Sequence, residues 1–158
     1  MNFGLTEEQQ MVFDMVRRFA DEEIKPIAAE LDKTHRHPKE ICRKLGEMGL
    51  MGVSTPTEYG GAGMDNVTYV LALTEVASGC ASCGVIMSVN NSLYGYPVKQ
   101  FGTHEQKMKF LYPVAHGEVE GCYALTEAGA GSDAGALRCR AERKGDKYIV
   151  NGAKKFIT

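Results

Sequence analysis

Hydrophobic positions recur at three-and-four spacing through the first two thirds of the chain, the signature of helices that bury one face. Met11, Val12, Met15, Val16, Phe19 and Ala20 form such a stripe, while Arg17, Arg18, Asp21 and Glu22 fall largely off it. The spacing predicts a helix over 5–24. Thr6-Glu7-Glu8-Gln9 would open it as a capping box, the hydroxyl satisfying an orphan amide and Gln9 reaching back. Pro26 is placed to start a second helical stretch carrying Ile27 and Leu31. His35-Arg36-His37-Pro38 reads as a solvated connector, because no third ligand stands near its two histidines in sequence. Ile41, Leu45 and Met48 mark a short helix that ends near Gly49 or Gly52.

Pro56, Gly60, Gly61 and Gly63 make 54–65 a loop, without the lysine and Ser/Thr of a phosphate-binding loop. Asp65 or Asn66 can cap the next helix, whose buried face would hold Val67, Val70, Leu71, Thr74 and Ala77 or Ser78. Small residues from Ala77 to Gly84 would let two helices, or a helix and a ligand, approach closely. Cys80-Ala-Ser-Cys83 has no second such pair and no strand–helix context, so it reads as two small buried side chains on one helix face. Val85 to Tyr94 is apolar and then polar, and Asn90 and Asn91 need partners if buried. Thr103-x-x-Gln106 is a second capping box, opening a helix with Met108, Leu111 and Tyr112 that ends near Pro113 and Gly117.

After Gly117 the period falls from about 3.6 to 2. Leu137, Cys139 and Ala141 alternate with Arg138, Arg140 and Glu142, and Lys144-Gly145-Asp146 is a turn. Tyr148, Val150 and Phe156 read as strand residues around Asn151-Gly152, a hairpin signal, and 121–126 as extended. The fold class is therefore mainly α: a helical domain over 1–118, then the opening strands of a β-domain over 119–158. Phe156-Ile157-Thr158 closes the chain within an apparent strand, so a longer protein, of which this is the N-terminal part, is expected.

Composition narrows the picture. Of 158 residues, 44% are hydrophobic and 24% charged, which is the balance of a globular chain and excludes disorder. A net charge of −2 argues against a dedicated nucleic-acid binder, and no apolar run is long enough to span a membrane. The five cysteines, with no secretory signal before them, are expected to be reduced thiols in the cytoplasm. Seven of the 18 basic residues fall in the last 21 positions, which suits a solvated strand face or an anionic ligand.

The most informative stretch is Tyr123 to Asp133. Gly129-x-Gly131-x-x-Ala134 formally fits a dinucleotide fingerprint, but a period-two segment follows instead of a helix, so that reading is rejected. What survives is a loop whose glycines admit close approach and whose amides, with Ser132, can donate to an anion. A plain loop between strands is the alternative.

Ala124-Leu125-Thr126-Glu127-Ala128-Gly129-Ala130-Gly131-Ser132-Asp133 and Asn151-Gly152-Ala153-Lys154-Lys155-Phe156-Ile157-Thr158 resemble two signatures of the acyl-CoA dehydrogenase family. Leu5-Thr-x-x-Gln, Gly46-x-Met-Gly49-Leu, Glu58-x-Gly60-Gly61 and Gly102-x-x-x-Gln106-Lys extend the resemblance over essentially the whole chain. Val85–Tyr94 is similar to the short-chain, butyryl-type members. Ala128 departs from the family's usual proline, which alters loop stiffness.

The resemblance implies a helical domain, a middle β-domain and a C-terminal helical bundle. It implies α,β-dehydrogenation of an acyl-CoA, with FAD as hydride acceptor and electron-transfer flavoprotein as the electron partner. Family members are homo-oligomers, usually homotetramers, with FAD lying across a dimer interface. Carried over by position, Tyr123, Leu125 and Thr126 would line the flavin. Gly131 and Ser132 would meet the FAD pyrophosphate, Ser132 also the acyl-CoA, and Phe156, Ile157 and Thr158 would flank the isoalloxazine. Val85–Tyr94 would border the acyl pocket. The family's catalytic glutamate belongs to the C-terminal domain, so no catalytic residue is assigned in this chain, Glu127 is given a structural role, and the chain by itself is expected to be inactive. Two other readings stand beside this one: a helical protein-interaction module without a cofactor, and a flavin-dependent oxidase on the same scaffold.

Overall fold

A computed structural model of the chain describes residues 4–158. Two units emerge from it: a helical unit up to Gly121, and a second unit, Cys122–Thr158.

The helical unit begins as sequence chemistry dictates. Thr6 and Gln9 form the reciprocal capping box of α1 (Glu7–Phe19). Val12, Val16, Ala20 and Ile24 are buried and Met15 and Phe19 partly so, but Met11 is exposed at the rim of the stripe. The helix does not stop at residue 24. A π-helical segment, Ala20–Ile24, carries it into α2 (Lys25–Thr34), and Pro26, at the start of α2, has no N–H to donate to the turn before it, where the regular α ladder gives way to π geometry. His35, in the left-handed conformation, ends α2. The connector leads to α3 (Lys39–Glu47), which buries Ile41, Cys42 and Leu45 and is followed by Gly49 at φ 76°.

Asp65 caps α4 (Asn66–Gly79) by accepting from the Thr68 amide and hydroxyl at 2.7 and 2.8 Å. Its other oxygen accepts from Gln9 of α1, and Arg17 faces Glu75, so α1 and α4 lie side by side pointing the same way. The buried face of α4 is Thr68, Ala72 and Val76, one position round from the expected stripe, while Val67 and Val70 are exposed. The helix is apolar in nearly every direction, so periodicity does not select a face. Contact with α1 and the π-helical segment that continues it selects the face instead: at Gly79 a Cβ would stand 3.1 Å from Ile24.

Cys80 breaks the chain between α4 and α5 (Ala81–Ser88), which folds back on α4. Tyr69 at one end donates to Ser88 at the other, and at the crossing a Cβ on Gly84 would come within 2.7 Å of Ala77. The small-residue run thus serves helix–helix contact. Cys83 is fully buried and Cys80 half-buried in the core. A second π-helical segment, Val89–Gly95, leads into α6 (Tyr96–Phe101). The Thr103–Gln106 capping box opens α7 (His104–Phe110), and α8 (Tyr112–Ala115) follows, with Leu111 and Val114 buried. No described helix is long and apolar enough to cross a membrane.

The second unit holds one antiparallel hairpin, β1 (Arg140–Lys144) and β2 (Lys147–Asn151), with Lys144 opposite Lys147 and Arg140 opposite Asn151. Gly145 and Asp146 make its two-residue turn, Gly145 at φ 64°. Asn151-Gly152 therefore ends a strand and is not a hairpin turn. Phe156 is likewise not in a strand; it lies in a bend at φ 57°. Both expectations came from residue type alone, and the Gly-Asp turn had already used the only register the two strands share.

Candidate functional site

The site stretch is built around Glu127. Its carboxylate accepts from the backbone amides of Arg138 (2.7 Å) and Cys139 (2.9 Å) and from Lys154 Nζ (2.8 Å). Lys154 also donates to the Leu125 carbonyl at 2.8 Å. The Lys154 ammonium and the two amide donors stabilise the charged form, and they hold the Glu127 carboxyl down to about 2. One carboxylate thus ties together three segments of the unit: 125–127, 138–139 and 154. This is a structural role, and an acid held ionised so firmly is a poor proton acceptor at neutral pH.

The cross-tie continues along the backbone, where the Lys155 amide donates to the Thr126 carbonyl at 2.8 Å. Leu125 and Thr126 are thereby brought beside the segment that leads into Phe156, Ile157 and Thr158. Phe156 has a left-handed backbone and a side chain left 93% exposed. A bulky residue in that region is a genuine outlier, and here no intramolecular packing compensates for it. Tyr123 and Ile157 are also exposed on this unit.

Gly131 and Ser132 lie in a bend beyond a tight turn, closed by reciprocal hydrogen bonds between Glu127 and Ala130. Among the described residues no hydrogen bond joins them to Phe156–Thr158, so the two groups of predicted residues are related only through Glu127 and its turn. Asp133 then caps a three-residue 3-10 turn, Ala134–Ala136, and no α-helix follows, which agrees with rejecting the dinucleotide fingerprint.

Gly129 and Gly131 can be tested for fit to a large ligand. Neither has a positive φ, and a Cβ on either would meet nothing within 4 Å. Neither turn geometry nor internal packing therefore requires glycine there, whereas open space over bare backbone, with amides nearby, suits an approaching anionic group. The residues fit such a group.

In the helical unit, the Val85–Tyr94 segment divides its labour. Val85 and Leu93 are exposed apolar side chains. Asn90 and Asn91 are buried and fully partnered. Asn91 accepts from the Val53 amide and donates to the Leu50 and Met87 carbonyls, while Asn90 donates to Ile86 and accepts from the Gly121 amide. Both are framework residues.

Sequence reasoning missed two groupings. Lys154 as the counter-charge of Glu127 stands 27 residues away from it. The connector histidine His37 is not isolated either: Cys42 and Glu120 converge on it, the latter from 83 residues away.

Comparison with known proteins decides the family. The acyl-CoA dehydrogenase N-terminal domain profile matches residues 6–118. The chain belongs to the acyl-CoA dehydrogenase family. It is 49% identical to a short-chain-specific acyl-CoA dehydrogenase of Clostridium acetobutylicum over all 158 residues, and it spans 42% of that protein's length. Butyryl-CoA dehydrogenase of Megasphaera elsdenii superposes with a TM-score of 0.92 at 35% identity, over 99% of this chain and 42% of that one. A glutaryl-CoA dehydrogenase of Mycobacterium smegmatis solved with FADH2 superposes at 0.91 with 33% identity, over 97% of this chain and 39% of that one. The mainly helical architecture is that of the N-terminal domain of this family, as the sequence resemblance implied.

Proposed function

We propose that this chain is the N-terminal part of an FAD-dependent acyl-CoA dehydrogenase that converts a short-chain acyl-CoA to the trans-2-enoyl-CoA. The observation that carries the reading is the tie between Thr126 and Lys155, which gathers the Thr126 edge and the strained, exposed Phe156 into one unit. Tyr123, Leu125 and Thr126 would hold one side of the isoalloxazine, and Phe156, Ile157 and Thr158 the other. Gly131 and Ser132 would meet the pyrophosphate, and Ser132 also the acyl-CoA. When bound, FAD supplies the hydride acceptor that no side chain offers. This chain's own residues bind and orient. The base that takes the α-proton would come from the C-terminal part of the whole protein, so the chain by itself does not turn over. Electron-transfer flavoprotein is the proposed electron partner, a homo-oligomer the proposed state of the whole protein and the cytoplasm its proposed location.

The test is flavin retention by the full-length protein. Thr126→Ala and Ser132→Ala are each expected to lower the flavin bound per chain after gel filtration, with butyryl-CoA bleaching the flavin that remains. A full-length protein that purifies without flavin, and takes up none on adding FAD, would overturn the proposal.

A further inference from the structure

We propose that His37, Cys42 and Glu120 form a divalent-metal site in the helical unit, with Zn²⁺ the ion their donor set matches. One nitrogen, one sulfur and one oxygen donor lie within 4.8 Å of one another. His37 Nε2 stands 3.0 Å from the Glu120 carboxylate. Zinc takes this mixture of imidazole, thiolate and carboxylate, and bond lengths of roughly 2.0–2.3 Å imply ligand atoms roughly 3.3–3.7 Å apart in a tetrahedron. Closure from the observed spacing needs only a modest side-chain adjustment. His37 and Glu120 can make it, being 54% and 29% exposed in their side chains, whereas Cys42 is fixed in the core.

The backbone holds the three donors together independently of any ion. Cys42 lies in the first turns of α3, its amide bonded to the Pro38 carbonyl, and the Lys39 amide bonds to His37 itself. The strap carrying Glu120 is pressed onto α3 by two glycines: a Cβ on Gly46 would stand 2.4 Å from Gly117. On the far side of Glu120 the Gly121 amide is anchored to buried Asn90. The strap therefore cannot drift from α3, and the cluster is built rather than a chance meeting of long side chains.

The simpler reading is a His–Glu surface pair lying over a thiol, an arrangement worth little by itself. In it Cys42 serves only as a weak S–H donor to the Glu120 carboxylate, although the three donor atoms all lie within 4.8 Å of one another. A dication there replaces the thiol proton, which is released to solvent, and neutralises the carboxylate. With three protein ligands on a partly open face, the fourth position falls to water. Glu120 also borders an open cavity of about 510 Å³ lined by Lys39, Arg43 and His116. The ion would clip the 116–121 strap to α3.

The experiment uses purified, metal-stripped protein. Competition with a chromophoric chelator measures Zn²⁺ affinity and stoichiometry, and Co²⁺ substitution reports a thiolate ligand through its charge-transfer band. One Zn²⁺ per chain and a thiolate–cobalt band are expected. His37→Ala and Glu120→Gln, both at exposed positions, should each weaken binding about tenfold or more. Cys42→Ser should remove the band, and Cys80→Ser should leave band and affinity unchanged. Circular dichroism establishes that each variant is folded. No saturable binding, binding that survives His37→Ala undiminished, or a band lost with Cys80→Ser would each overturn the site.

Discussion

Glu127 shows how much one side chain can organise in a unit with almost no core. Its carboxyl is held at about 2, below an ordinary value of 4.5, chiefly by the Lys154 hydrogen bond and then by the Arg138 and Cys139 amides. The unfolded chain therefore binds the proton more readily than the folded one. Its contribution is fully present above 4.5 and is lost as pH falls through about 2. An NMR titration of the side-chain carboxyl should find its midpoint near 2, and Glu127→Gln should flatten the acid limb of the stability curve between 4.5 and 2. A midpoint at the ordinary value would mean that the three-donor arrangement does not persist in solution. The position of Glu127 within the glycine signature was legible in the sequence; its partner was not, because no local pattern relates a glutamate to a lysine 27 residues on. Phe156 is a similar case. Its aromatic type suggested a strand, and only the backbone reveals the left-handed turn that lifts it clear of one.

Among the elements, those whose ends carry their own chemistry were the most legible. Thr6, Asp65 and Thr103 each cap the helix that their spacing announced. Helix faces were read well where the stripe is narrow, as in α3, and misread where the helix is apolar all round, as in α4. The π-helical segments 20–24 and 89–95 left no mark that periodicity could detect. The second of them places Asn91 where it bridges to the 50–53 turn. Removing that side chain leaves the Val53 amide and two carbonyls without partners in the core, and a buried unsatisfied polar group costs about 1–3 kcal/mol. Asn91→Ala should therefore destabilise the helical unit by roughly 2–4 kcal/mol, against about 1 kcal/mol for the exposed cap lost in Thr6→Ala. Urea unfolding midpoints compare the two. If Asn91→Ala costs no more than Thr6→Ala, the buried staple is not what joins these elements.

Across the whole molecule, the apolar core belongs to the helical unit. Val16, Ile24, Leu45, Val53, Val76 and Met87 are closed from solvent there, whereas every position of β1 and β2 is exposed. A two-stranded hairpin with neither face covered is marginal in water, so the two units should differ sharply in resistance to local opening. Hydrogen exchange on the chain as it stands should find the α1 and α4 amides protected to near the global stability and the β1 and β2 amides nearly unprotected. The proposed function adds a second expectation for the full-length, flavin-loaded protein. There, exchange at Tyr148–Val150 and around Thr126 and Lys155 should slow by orders of magnitude, because cofactor and further sheet would cover the faces now open. Protection that stays low in the flavin-loaded protein would mean that these faces are not where the cofactor is held, and the strained exposure of Phe156 would need another cause. High protection in the isolated chain would mean that Glu127 and its three donors suffice to order the unit without any ligand at all.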